Sequence, residues 1–423
     1  MVAFFIGWAI LMMLGVPISY SLLLATSSYL LLTGDVLLGI PQRMMAAPNS
    51  FPILAIPFFI LAGQIMNSAG ITDRIYSFGK AILGHVRGSL GHVNVLASII
   101  FAGMSGSGAA DVAGLGTIEL DAQRKAGFDD DFNVGVTLSS AVIGPIIPPS
   151  IPMVMYGSLA STSVGALFLG GVIPGLLMGV SLFFMVYLFS RKRNYPIYKK
   201  ANFREKLVAT RKAFWALLTP LIILSGIAFG IVTPTEAAIV TVVYALALGM
   251  AVYREFKIAD LMKILLDTVE TTGTVVMLIA AAGLFGWTLS RAQIPQTLAR
   301  ALISLTDSPL LILLLMNVFL LIVGCFIEGL AALVVLVPII MPILQSVGIN
   351  PVHFGVVMVL NITIGAITPP VGTYLYIMTK VADMSFENVV KGVLPWIVPL
   401  LIVLLVITLL PGTVLWLPGL FNL

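Results

Sequence analysis

The chain has 423 residues, of which 59% are hydrophobic and 9% charged, with a formal net charge of +4. A soluble domain carries about 25% charged residues, and a soluble chain of this length divides into two or three domains, each with its own polar surface. There is too little polar material here to cover even one, so the solvent of this chain is largely lipid; its single cysteine, Cys325, excludes a disulfide framework and a Cys-based zinc cluster.

From the N-terminus, Met1 to Leu14 has no positive leading region and no small-residue cleavage site, and reads as a retained span. The first two expected spans are Met1–Val16 and Ile18–Thr33, joined at Gly15-Val16-Pro17, followed by Ile53–Ser68. Segment 72–87 carries scattered charge and reads as an amphipathic helix along the interface. Two apolar arms follow over 90–121, then a broken helix over 132–159 and a span over Ala166–Ser190. Nine of the 22 Lys and Arg lie between Arg191 and Lys212. The positive-inside rule places this linker in the cytoplasm; an anionic-lipid or nucleic-acid patch is the functional alternative. Phe214–Val232, Ala237–Tyr253 and Thr271–Ser290 are the next spans. An interfacial arm over 291–304, a second pair of arms over 310–345, a second broken helix over 353–381 and a closing span Val389–Leu410 complete the chain. Arms of about 15 residues reach about 22 Å against a hydrocarbon core of roughly 30 Å, so both pairs read as re-entrant hairpins.

The halves repeat at a shift of 221 residues. Gly103 meets Gly324, Gly108 meets Gly329, and Ile143-Gly144-Pro145-Ile146-Ile147-Pro148-Pro149 meets Ile364-Gly365-Ala366-Ile367-Thr368-Pro369-Pro370. Gly171-Val172-Ile173-Pro174 meets Gly392-Val393-Leu394-Pro395 in the same register. Matched glycines and prolines are rarer by chance than matched aliphatics. The expected organisation is a first repeat over 1–190, a basic linker over 191–212 and a second repeat over 213–423. Five crossings separate the start of Ile53–Ser68 from that of Thr271–Ser290, so the second copy is inverted. The first hairpin then enters from the cytoplasm beside Arg124 and Lys125, and the second from outside. Inverted repeats with broken helices at mid-membrane mark many secondary transporters.

Chemistry is expected where backbone is freed from helical bonding, because lipid tolerates unwound chain only inside protein or around a polar cavity. Prolines at 145, 148 and 149 lack N–H donors and clash with preceding carbonyls, and Gly365 to Pro370 shares the defect. The freed carbonyls are hard oxygen ligands suited to Na⁺, and half-helix N-termini nearby favour an anion. The tips read Gly103-Met104-Ser105-Gly106-Ser107-Gly108-Ala109-Ala110-Asp111 and Gly324-Cys325-Phe326-Ile327-Glu328-Gly329. Their glycines and serines also suit simple close packing of arms. Asp111 and Glu328 sit near these tips in apolar runs, where an acid costs roughly 2.5–3.5 kcal/mol; each either lines a site or caps a helix arm. Glu236, after Thr233-Pro234-Thr235, belongs in a first helical turn. Gly103-Met104-Ser105-Gly106 matches the nucleophile pattern of intramembrane serine proteases. However, His85, His92 and His353 all fall near segment ends, which leaves no base at mid-membrane. An enzyme is not expected; a channel-like or structural subunit is the reading from another class.

Several motifs carry a resemblance. Gly230-Ile231-Val232-Thr233-Pro234-Thr235-Glu236-Ala237-Ala238, Ile56-Pro57-Phe58-Phe59-Ile60-Leu61, the Ser-Gly-Ser-Gly tip and Ile147-Pro148-Pro149-Ser150 resemble the large membrane subunit of TRAP transporters, the tripartite ATP-independent periplasmic type. The resemblance covers nearly the whole chain. It implies an all-α polytopic membrane protein of two inverted repeats, each with a re-entrant hairpin and a proline-broken helix, working as an elevator in the bacterial inner membrane. It implies Na⁺ as coupling ion and no cofactor. The implied partners are a separate small four-helix membrane subunit and a periplasmic substrate-binding protein, with an organic anion such as sialic acid or a C4-dicarboxylate as substrate. No nucleic acid is expected, and both termini are expected on the periplasmic side. Carried over by position, one Na⁺ falls among Ser105, Gly144, Ile147 and Pro149, and the repeat places a second at Gly324, Gly365, Thr368 and Pro370. Ser107, Asp111, Glu328 and Thr373 are the expected substrate-cavity residues. The alternative within transport is a stand-alone Na⁺/dicarboxylate carrier of the same broad architecture.

Overall fold

A computed structural model describes residues 2–34, 39–193, 195, 197–255, 258–306 and 308–423. Met1, the start of the first expected span, and Asn194 and Pro196 of the basic linker lie outside the described residues. Every regular element among the described residues is helical, and eight of those helices are long and apolar enough to cross a membrane. This is a multi-pass membrane protein.

The N-terminal helices α1 (Val2–Met13) and α2 (Ile18–Leu32) turn at Gly15. Their 12 and 15 residues amount to about 18 and 22 Å, shorter than the full crossings expected from their hydropathy. A short α3 (Gly39–Ala46) follows, unforeseen because Pro41, Gln42 and Arg43 interrupt its apolar pattern. A 3₁₀ turn (Phe51–Leu54) leads into α4 (Ala55–Ser68), and α5 (Ile71–Leu83) is the amphipathic helix.

The first pair of arms is three helices, not two: α6 (Ser89–Ser105), α7 (Gly108–Ala113) and α8 (Leu115–Lys125). Next come the two parts of the broken helix, α9 (Asp130–Ala141) and α10 (Ile151–Leu159). The helix α11 (Val164–Arg193) outlasts its apolar run, and α12 begins at Phe203 and runs to Ala228, so the linker is shorter than its charge pattern suggests. In α13 (Pro234–Ala247), Glu236 accepts the Thr233 N–H at 2.8 Å while the Thr233 hydroxyl caps the Glu236 N–H. That capping box explains Thr-Pro-Thr-Glu without a ligand. A π turn (Leu248–Val252) ends this helix.

The span expected from Thr271 is the last part of α14 (Ile258–Arg291). At 34 residues, or about 51 Å, α14 exceeds the hydrocarbon core. Its polar early turns, with Lys263, Asp267 and Glu270, hid the helix from hydropathy. After α15 (Ile294–Leu305) come α16 (Pro309–Phe326) and α17 (Gly329–Ser346), each 18 residues. That is about 27 Å, so length alone does not distinguish these arms from spans. The second broken helix is α18 (Pro351–Ala366) and α19 (Thr373–Ala382), followed by α20 (Phe386–Leu409) and an unforeseen α21 (Gly412–Leu420).

The halves interleave. Helix α9 of the first half lies along α20 of the second. A β-carbon on Gly135 would fall 2.2 Å from Trp396 Nε1, so only glycine admits the indole there. Trp396 stacks on Phe189 of α11 at 5.2 Å and 7°. Small residues permit such backbone approach, the principal source of helix association where lipid is as apolar as the side chains.

Candidate functional site

At the end of α6 the chain reverses through Gly106, whose φ of +61° is the left-handed conformation that glycine adopts without penalty. The Ser107 hydroxyl then accepts the Ala110 N–H and caps α7. This tip sits on the unwound stretch 142–149. Ile151 N–H donates to the Gly106 carbonyl at 3.4 Å, and a β-carbon on Gly106 would fall 2.4 Å from the Pro149 oxygen. One on Gly144 would fall 3.2 Å from Gly108 N. The Ser150 hydroxyl donates to the Pro145 carbonyl and accepts the Met153 N–H, which fixes the start of α10. The Pro148–Pro149 peptide is cis.

The second tip repeats this arrangement with different side chains. Gly372 N–H donates to the Cys325 carbonyl at 3.0 Å. Gly324 and Gly365 meet backbone to backbone, with a β-carbon on Gly365 falling 2.5 Å from Gly324 Cα. Glu328 caps α17 by accepting the Ala331 N–H at 3.1 Å. The Thr368 hydroxyl donates to the Ile364 carbonyl at 2.7 Å, and Pro369–Pro370 is cis. Ser105, Gly144 and Pro149 are thus drawn around one contact, and Gly324, Gly365 and Thr368 around the other.

The oxygens at these contacts suit a hard cation, which takes oxygen ligands. Among the described residues, the carbonyls of Gly144, Ile147, Pro149, Gly324, Thr368 and Pro370 accept no hydrogen bond. The Gly365 carbonyl is partly engaged, taking the Thr368 N–H at 2.9 Å. Buried carbonyls are normally paired, which makes the free ones of the buried residues Gly144, Ile147, Pro149 and Gly324 notable; Thr368 is half-buried and Pro370 exposed, where solvent can satisfy them.

Two cavities adjoin the tips and share Ser107, Ile151 and Leu330. The smaller, about 70 Å³, lies between the halves against Ser107, Pro145, Glu328, Thr363 and Tyr374. It is too small for an organic ligand. The larger, about 290 Å³, opens between the tips and helices α4 and α14, with Gln64, Asn67, Ser105, Ser107 and Thr271 as its polar lining. That reaches the lower end of small-molecule sites. Of the expected cavity residues, Ser107 lines both and Glu328 lines the smaller, where it remains accessible. Asp111 and Thr373 line neither: Asp111 is buried at 2% exposure, and it is Tyr374, next to Thr373, that lines the smaller cavity, its hydroxyl 2.8 Å from where a β-carbon on Gly108 would stand. Sequence reasoning missed Gln64 and Asn67, although polar residues three apart in an apolar run are a readable signal of one wetted helix face.

It also missed two buried polar clusters that brace the arms. Asn94 of α6 donates to Glu119 Oε2 at 2.6 Å and to Thr137 Oγ1 at 2.7 Å, and Ser140 of α9 donates to Asn94 Oδ1 at 2.8 Å. In the second half, Asn361 of α18 donates to Asn317 Oδ1 of α16 at 2.7 Å, and Asn317 donates to Thr408 of α20 at 2.8 Å. Ser140 and Asn361 are separated by the 221-residue shift. Each therefore ties a broken helix to the neighbouring arm.

Residues 5–413 match the family model described as "Tripartite ATP-independent periplasmic transporter, DctM component". The chain is 46% identical over 422 residues to the sialic acid TRAP transporter large permease protein SiaM of Vibrio cholerae, covering 100% of this chain and 99% of that one. It is 40% identical over 390 residues to the C4-dicarboxylate TRAP transporter large permease protein DctM of Pseudomonas aeruginosa, covering 92% and 91%. Among solved structures, the Alcanivorax borkumensis YdaH transporter aligns with a TM-score of 0.65 over 88% of this chain and 87% of that one, at 13% identity. The last likeness concerns the fold alone.

Proposed function

Because this chain belongs to the family of DctM components, the large permease subunits of tripartite ATP-independent periplasmic transporters, we propose that it imports a small organic acid coupled to Na⁺. The observation that carries the reading is the pair of tip-on-break contacts, where the carbonyls of Gly144, Ile147 and Pro149 at one and of Gly324, Thr368 and Pro370 at the other accept no hydrogen bond. Ser105, Gly144, Ile147 and Pro149 hold one ion; Gly324, Gly365, Thr368 and Pro370 hold the other. Each ion draws a tip onto its broken helix and offsets the charge of an anion in the larger cavity. At −100 mV, each entering Na⁺ contributes about 2.3 kcal/mol from the membrane potential, so two ions suffice to concentrate a monoanion.

The two halves act as inverted repeats in the bacterial inner membrane. The hairpins and broken helices move as one body against a scaffold that includes α4 and α14. A small four-helix subunit and a periplasmic binding protein complete the transporter, and the basic linker faces the cytoplasm. Sialic acid is the first substrate to test, given the identity over the full length of the sialic acid relative, with C4-dicarboxylates second.

The test is uptake of labelled sialic acid and succinate into proteoliposomes that also contain the small subunit, with and without the binding protein. An inward Na⁺ gradient is expected to drive binding-protein-dependent accumulation, and a K⁺ gradient is not. Equal uptake under both gradients would reject Na⁺ coupling; uptake without the binding protein would favour a stand-alone carrier.

A further inference from the structure

The basic segment that set the topology builds more than a charge bias. Along α12, Arg204, Val208, Arg211, Lys212 and Trp215 recur at helical spacing and form one stripe. The stripe is one wall of an open groove of about 1030 Å³ whose other walls are α5 and the π turn after α13. Arg74 of α5 lies 4.1 Å over the Tyr253 ring and pairs with Glu255 at 2.7 Å. Four cations line the groove: Arg74, Arg204, Arg211 and Lys212. Of its three acids, Glu255 is held by Arg74 and Glu205 by the Asn202 N–H at 2.7 Å. Asp73 is the remaining acid, against exposed Arg204, Arg211 and Lys212, for which no acidic partner is found among the described residues.

The groove lies where α12 changes from polar to apolar. Trp215 stands at the apolar edge of the groove and Leu221 lies beyond it, 45% and 61% exposed. Trp and Tyr at such a level mark the membrane–water boundary, and long basic side chains there extend toward headgroups. We propose that this groove binds the phosphate headgroup of an anionic phospholipid, with Arg211 and Lys212 as its principal contacts and the acyl chains lying along the apolar end of α12. Free phosphate offers the same charge but no chains for that apolar surface.

The test is lipid retention by the purified permease, with any co-purifying subunit kept, in nanodiscs of phosphatidylcholine titrated with phosphatidylglycerol and read by native mass spectrometry. Phosphatidylglycerol is expected to stay bound in preference to phosphatidylcholine. Replacing Arg211→Gln and Lys212→Gln together is expected to weaken its retention about thirtyfold, the worth of two cations at an anionic surface. Arg204→Gln alone provides a milder variant with a smaller loss. Lys199→Gln with Lys200→Gln, exposed residues of the same segment outside the groove lining, is expected to change nothing. Equal retention of the two lipids, or an equal loss in that control, would overturn the proposal. So would inorganic phosphate protecting the groove as well as phosphatidylglycerol does, which would assign it to a soluble anion.

Discussion

Gly324 and Gly365 touch through bare backbone: a β-carbon on Gly365 would stand 2.5 Å from both the Cα and the carbonyl carbon of Gly324. Neither atom can swing aside as a side chain would. Gly365→Ala should therefore unseat the second tip at a cost of about 1–3 kcal/mol and reduce uptake at least tenfold. Gly273→Ala, where nothing lies within 4 Å, serves as the matched control on α14. Thermal stability of both variants, measured with and without Na⁺, checks this; an undiminished Na⁺ effect in Gly365→Ala would contradict it.

Thr368 keeps a free carbonyl, and its hydroxyl oxygen donates to Ile364 while retaining lone pairs for a cation. Thr368→Ala should raise the Na⁺ concentration for half-maximal uptake roughly five- to tenfold, the worth of one neutral polar contact at about 1–1.5 kcal/mol. Ser105→Ala should do the same at the first contact. Na⁺ titrations of initial rate in proteoliposomes measure both, and an unchanged midpoint would remove the hydroxyl from the ion's surroundings.

Gln64 lines the larger cavity but neither tip contact. If that cavity holds the organic acid, Gln64→Leu should raise KM about tenfold, as expected when a polar substrate group loses its partner, while the Na⁺ midpoint stays within twofold. A shift in the Na⁺ midpoint with KM unchanged would assign Gln64 to the ion instead.

The Asn317–Asn361 bond joins α16 to α18 in the buried interior. Inter-helix bonds of this kind in membranes are worth about 0.6 kcal/mol on average and up to about 1.7. Asn361→Leu and Asn317→Leu should each destabilise more than the double variant implies by addition, since removing one partner strands the other. A double-mutant cycle from denaturation in mild detergent reads the coupling; strict additivity would mean that the bond contributes nothing.

The proline breaks were legible because proline leaves no choice: residues 145, 148 and 149 cannot donate, so helix α9 had to stop near them. It stops at Ala141, slightly early, because the turns that accommodate the prolines begin before them. Glu236 was legible through its capping box, and Glu328 through its place before an apolar arm. Asp111 falls outside both cavity linings, a placement sequence could not give because it shows depth in the membrane but not which way a short helix faces. Glu119 went unnoticed in an arm that also carries Asp121, Arg124 and Lys125, where a fully buried acid looks like one more surface charge. The length of α14 and the groove beside α12 depend on elements meeting across long sequence separations, which no local pattern encodes.

The fit of Trp396 against Gly135 also bears on the order of synthesis. Helix α9 leaves the ribosome some 250 residues before α20 does, so the notch at Gly135 must wait, unfilled, until nearly the whole chain has been inserted. A nascent chain stalled in the linker would hold the first half complete in sequence yet without the indole that closes it. Until then the Gly135 face of α9 lacks its partner, and truncation late in the second half should destabilise the first half as well.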